Sequence, residues 1–151
     1  MSKLTLSGKW KYRSFVPSLN GVPTPDLAAP WAPLGVLDLT TNPETRAVSG
    51  TMEVIGSPLK ATVTGQISSA PDPTAGNLAT EKLIDFVELT ITAHVGPPLS
   101  PAPFDSVYNL KLWASEGTDH LIGCTIAIDK DVARRPNGTV GASVMFPAPV
   151  V

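Results

Sequence analysis

The sequence predicts an all-β domain, an eight-stranded antiparallel up-and-down β-barrel. Three observations carry that expectation. Short runs alternate apolar and polar residues with a period of two, the pattern of a strand with one buried and one wet face. The connections hold much of the chain's 16 prolines and 12 glycines, residues that punctuate turns and loops. No convincing helical segment separates one run from the next, so successive strands read as antiparallel neighbours, and closing the sheet removes its exposed edges.

Strand 1 is Leu6 to Phe15, LSGKWKYRSF. Lys9, Lys11 and Arg13 alternate with Trp10, Tyr12 and Ser14, so the aromatic set faces inward. Gly8 allows a sharp entry, letting Trp10 cover the barrel floor. Val16 to Leu34 contains five prolines and no helical period, and reads as a stiffened loop with Trp31 near its end. Strand 2 is Gly35 to Thr40 and strand 3 is Ala47 to Ile55, with Val48, Met52 and Val54 on one face. The turn Gly56-Ser57-Pro58 leads into strand 4, Leu59 to Ile67, where Leu59, Ala61, Val63 and Ile67 face inward. Ser68 to Asp85 is a second long connection, with room for one helical turn around Ala79 to Leu83. Strand 5 is Phe86 to Val95, followed by the proline-rich loop GPPLSPAPFD. Strands 6, 7 and 8 are Ser106 to Ala114, His120 to Ile128 and Thr139 to Phe146. The tail PAPVV is expected at the surface.

At 151 residues the chain is one domain with enough length for a real core. The net charge is −2 and the 11 lysines and arginines are scattered, which argues against a nucleic-acid partner. No apolar run approaches the roughly 20 residues of a membrane helix, so no membrane partner is expected. The opening MSKLTLSGKW has no apolar signal core. The protein is then cytoplasmic if Met1 is the native start, and secreted if a leader was removed. Cys124 is the single cysteine, so it forms no internal disulfide and cannot hold zinc alone. No cofactor or metal is expected.

In an up-and-down barrel, connections alternate between the two ends. The loops bearing Trp31, Phe104, Arg134 and Arg135 therefore share one mouth, opposite Gly8 and Trp10. With the aligned register, Tyr12, Met52, Val54, Leu89, Ile91, Leu110 and Leu112 line the interior. Two readings stand. An eight-stranded barrel is wide enough for one small ligand, or it is filled by side chains such as Trp10, Tyr12 and Phe146. In the first reading the Tyr12 hydroxyl orients an apolar ligand. Trp31 and Phe104 then form a lid, and Arg135 attracts an anionic group. In the second, these loop residues are ordinary packing and solvated charge.

The set Leu6-Ser7-Gly8-Lys9-Trp10, Val48-Ser49-Gly50-Thr51, Val63-Thr64-Gly65-Gln66 and Ser69-Ala70-Pro71 resembles the avidin and streptavidin family, within the calycin superfamily of barrels. The resemblance covers about the first half of the chain and implies the barrel and a tetrameric habit. It does not extend to biotin. Where the family's first strand supplies polar inner residues, this sequence has Tyr12 and Val16; the third strand has Met52 and Val54, and the fifth Leu89, Ile91 and Ala93. Strand 8 has no aspartate for a ureido group. A polar ligand group left unpaired in an apolar site costs about 1–3 kcal/mol, so no tight biotin binding is expected.

His94 and His120 read as outward or strand-start residues, and Cys124 as a small apolar residue. Strand 7 is apolar on both faces, with Ile122, Cys124, Ile126 and Ile128 outside, and strand 6 adds Val107 and Trp113. An exterior this apolar calls for cover, which predicts a homo-oligomer joined through strands 6 to 8. The functional expectation is a non-enzymatic oligomeric barrel for a small, largely apolar ligand other than biotin. The alternatives are a cofactor-free isomerase or cyclase using Tyr12, and a ligand-free oligomeric barrel.

Overall fold

The computed structural model describes residues 4–15, 31, 34–71, 83–114 and 118–148. Eight strands follow one another: β1 Gly8–Ser14, β2 Gly35–Thr41, β3 Ala47–Val54, β4 Lys60–Pro71, β5 Leu83–Val95, β6 Phe104–Ala114, β7 Leu121–Asp129 and β8 Val140–Pro147. Each pairs antiparallel with the next, and β8 pairs with β1 to close the barrel. Closure leaves the described sheet without an open edge.

The period-two pattern sets the faces. In β1, Trp10, Tyr12 and Ser14 are buried while Lys9 is exposed. In β5, Val87, Leu89, Ile91, Ala93 and Val95 are all buried, with the exposed Glu88 and His94 pointing away from them. Gly8 has φ of 115°, a conformation that favours glycine, and it turns the chain into β1. There the Trp10 indole donates to the Leu6 carbonyl at 2.9 Å and closes the floor. Leu37, Val63, Leu89, Leu110, Leu112, Leu121 and Met145 are essentially inaccessible and pack the interior.

Several strand bounds and one inward side chain differ from the sequence reading. β4 runs on to Pro71 and β5 begins at Leu83, because Ser68 to Pro71 pair with Phe86 to Leu83. The partner strand extends the ladder through residues whose own alternation is weak. A helical turn near Ala79 falls outside the described residues, while Leu83 already belongs to β5. Phe146 does not fill the interior. It pairs with Lys11 on the outer wall, its ring 5.7 Å from that of His120, and the buried Met145 takes the inner position. A shift of one residue along a strand exchanges the faces, and β8 is apolar at both. Among the described residues no helix is long and apolar enough to cross a membrane.

Candidate functional site

At the end of the barrel opposite Trp10, the interior opens into a cavity of about 240 Å³. Its wall divides by strand. From β3 and β5 come Met52, Val54, Ile91 and Ala93, all apolar, and the turn between β3 and β4 adds Leu59 and the Ser57 hydroxyl. From β1, β6 and β7 come hydroxyls: Tyr12, Ser14, Tyr108 and Thr125. Trp31, Leu99 and Val132 stand at the mouth on loops.

The hydroxyl side is a connected chain. Tyr12 Oη lies 2.5 Å from Thr125 Oγ1, which lies 2.5 Å from Ser143 Oγ. Register brings them together, since Tyr12 pairs with Met145, Ser14 with Ser143, and Thr125 with Gly141. Burial pushes the Tyr12 phenol above its ordinary pKa of 10.0, against the pull of hydrogen bonds with Ser14, Thr125 and Ser143. The phenol therefore stays protonated at neutral pH and acts as a hydrogen-bonding group.

A second cluster fastens the mouth. Asp131 is almost wholly buried, and Tyr108 Oη donates to its Oδ1 at 2.7 Å. The Trp31 indole nitrogen is 3.3 Å from both carboxylate oxygens, and the Arg135 backbone N–H donates to Oδ2 at 3.1 Å. The Tyr108 hydroxyl accepts from the Val132 N–H at 3.0 Å and lies 2.9 Å from Ser106 Oγ, whose one proton is shared with the Lys130 carbonyl at 2.7 Å. The ladder between β6 and β7 shifts register at Val107/Tyr108, beside this cluster. Burial pushes the Tyr108 phenol up to about 12, assisted by the Asp131 carboxylate.

Trp31 is held from several directions. Its backbone N–H donates to the Ser14 carbonyl at 2.8 Å. Its ring meets Tyr108 edge-on with centroids 6.3 Å apart, and the Arg135 guanidinium lies 5.4 Å from the ring centroid. Cation–π attraction and the buried carboxylate together hold this arginine, with its Nη1 3.9 Å from Asp131.

Of the residues singled out in the sequence, Tyr12, Trp31, Met52 and Val54 line the cavity. Leu89 and Leu110 are fully buried in the packed interior. Phe104 borders a separate shallow depression with His94 and Asp105. Arg135 covers Trp31 from outside. Ser14, Thr125, Tyr108 and Asp131 were not singled out as site residues. Strict alternation from Tyr12 marks Ser14 as inward, and alternation from Leu121 marks Thr125. Nothing local marks Asp131, which lies on a loop and becomes buried only when Trp31 and Tyr108 fold over it.

His94 faces outward and its Nδ1 lies 2.9 Å from Asp105 Oδ1, with both side chains more than half exposed. Among the described residues no group of three or more histidine, cysteine, aspartate or glutamate side chains is placed to hold a metal ion. Comparison of the chain with protein-family models, curated proteins and solved structures finds no match.

Proposed function

We propose that this protein is a non-enzymatic, oligomeric barrel, of avidin-like and calycin kind, that binds a small, largely apolar molecule other than biotin. The observation that carries the reading is the cavity at the mouth. An apolar wall with a few convergent hydroxyls is the usual make-up of a small-molecule site. The apolar side chains at Met52, Val54, Ile91 and Ala93 supply no hydrogen bonds for a buried urea.

The outer wall supports the oligomer. Ile122 and Val140 are each more than two-fifths exposed, on adjacent strands, with Ile128 further along β7. Phe86 and Trp113 stack beside them with centroids 6.4 Å apart. Trp113 pairs with Ile122, Ile122 with Val144, and Ile126 with Val140. This apolar strip runs across β6 to β8 and reaches β5 at Phe86, and it is interrupted by one ion pair, Lys111 with Glu88 at 3.4 Å. A second copy of the chain covers it.

The enzymatic alternative rests on Tyr12. Its raised pKa leaves it a donor and acceptor of hydrogen bonds and a poor base, which favours binding over proton abstraction. The cavity weighs against a ligand-free barrel.

Native mass spectrometry of the purified protein tests both parts. The expected result is an oligomer carrying an additional small apolar mass, released on denaturation. A bare monomer at micromolar concentration overturns the oligomeric reading. Ile122→Glu is expected to lower the subunit number while leaving the barrel's circular dichroism intact.

A further inference from the structure

Resting on the binding reading above, we infer that the ligand is electrically neutral and compact, with roughly ten non-hydrogen atoms, and presents a carbonyl or hydroxyl oxygen to Tyr12, the end of the Tyr12–Thr125–Ser143 series.

Size follows from the volume. An apolar cavity of about 150 Å³ accepts benzene, with six carbons. The cavity here, about 240 Å³, takes a molecule larger in proportion.

Neutrality follows from the lining. Among the described residues that face the cavity there is no lysine, arginine or histidine. The only ionisable carboxyl is that of Asp131, and its oxygens already accept from Tyr108, Trp31 and the Arg135 backbone. An ionised ligand group would be buried without a counter-charge, at a cost of several kcal/mol per ion. An ammonium would have to displace donors that Asp131 already holds. The Arg135 guanidinium is drawn away over the Trp31 ring and is not part of the lining.

The oxygen contact at Tyr12 follows from counting hydrogen bonds. A hydroxyl offers one donor and two acceptor positions. Thr125 uses two of three, towards Tyr12 and Ser143. Tyr12 bonds to Thr125, and the Ser14 and Ser143 hydroxyls also hydrogen-bond to it. In a linked series of hydroxyls there is always one more proton than there are internal bonds. If the series donates towards Tyr12, the phenol proton is free for a carbonyl. If it donates towards Ser143, Tyr12 can accept from a ligand hydroxyl. The relay thus accommodates a ketone, an aldehyde or an alcohol by turning its hydroxyls, without moving the backbone. The opposite wall, Met52, Val54, Leu59, Ile91 and Ala93, takes the hydrocarbon body.

Isothermal calorimetry at neutral pH with four cage probes of one shape tests this. The probes are 2-adamantanone, 1-adamantanol, adamantane-1-carboxylate and 1-adamantylammonium. Both neutral probes are expected to bind, each about 10-fold or more tighter than either ion. Tyr12→Phe is expected to weaken both neutral probes by about 5- to 10-fold. Thr125→Val is the second variant, and near-ultraviolet circular dichroism verifies that each remains folded. Equal or tighter binding of the carboxylate or the ammonium overturns neutrality and leaves the binding reading standing. Unchanged affinity for the ketone and alcohol in both folded variants overturns the oxygen contact. Failure of all four probes to bind overturns the cavity reading itself.

Discussion

A β-carbon on Gly141 would stand 2.7 Å from the indole ring of Trp31. The bare backbone of β8 is therefore the seat of the tryptophan that closes the barrel mouth. The same β-carbon would stand even closer to the Phe15 carbonyl, beside the point where the Phe15 N–H donates to the Ala142 carbonyl of β8 at 2.9 Å. Packing, an edge-on aromatic contact and a buried carboxylate converge on one loop residue. Together they set the width of the opening.

Gly141→Ala is expected to push Trp31 off this seat and to strain the junction of β8 with the Phe15 backbone. Overpacking of this kind costs about 1–3 kcal/mol. The urea midpoint should fall, and tryptophan fluorescence should shift to longer wavelength as the indole meets water. Wild-type stability with an unshifted spectrum would show that the ring has another place to rest.

The two phenols give the barrel an alkaline limit. Tyr12 and Tyr108 are the chain's only tyrosines, and burial raises both above the ordinary 10.0. Unfolded, they release protons near pH 10; folded, Tyr108 holds its proton to about pH 12 and Tyr12 is also raised. The unfolded state thus binds fewer protons across this window, and stability falls as pH rises from about 10 towards 12. Phenolate absorbance is expected to appear together with the cooperative loss of circular dichroism. Absorbance that rises through an ordinary titration while the fold persists would contradict the burial of both rings.

Asp85 gives the acid limit. Burial pushes its carboxyl up, but the bonds from Arg46 and from the Leu4 N–H, at 2.9 and 2.8 Å, outweigh it and hold the pKa below 3.8. A lowered carboxylate pKa stabilises the fold above the unfolded value, and this stabilisation is lost as pH falls through the folded value. Asp85→Asn is expected to cost about 1–2 kcal/mol at neutral pH and to flatten the stability profile below about pH 4. An unchanged acid slope in chemical denaturation would place the acid sensitivity elsewhere.

Much of the architecture is legible in the amino-acid sequence. Alternation in β1 separates Trp10, Tyr12 and Ser14 from Lys9, Lys11 and Arg13, and the same reading of β5 places Leu89, Ile91 and Ala93 inside. It worked because the side-chain period of a strand is two whatever its partners. It failed where both faces are apolar. Phe146 and Met145 in β8 are alike in hydrophobicity, and only the pairing with β1 decides which one points inward. It also failed where pairing extends a strand through weakly patterned residues, as from Ser68 to Pro71.

The site divides in the same way. Met52 and Val54 were visible as inner residues of one strand, and Tyr12 as the polar tip among them. The sequence by itself determined the strand sequence, the facing of most side chains and the apolar character of one wall, because these depend on local periodicity. Tertiary structure alone decided that Tyr12, Thr125 and Ser143 form one hydrogen-bonded series, and that Asp131 is buried beneath Trp31 and Tyr108. Those contacts join residues from about 20 to more than 100 positions apart, and only barrel closure and shared register bring them within hydrogen-bond reach.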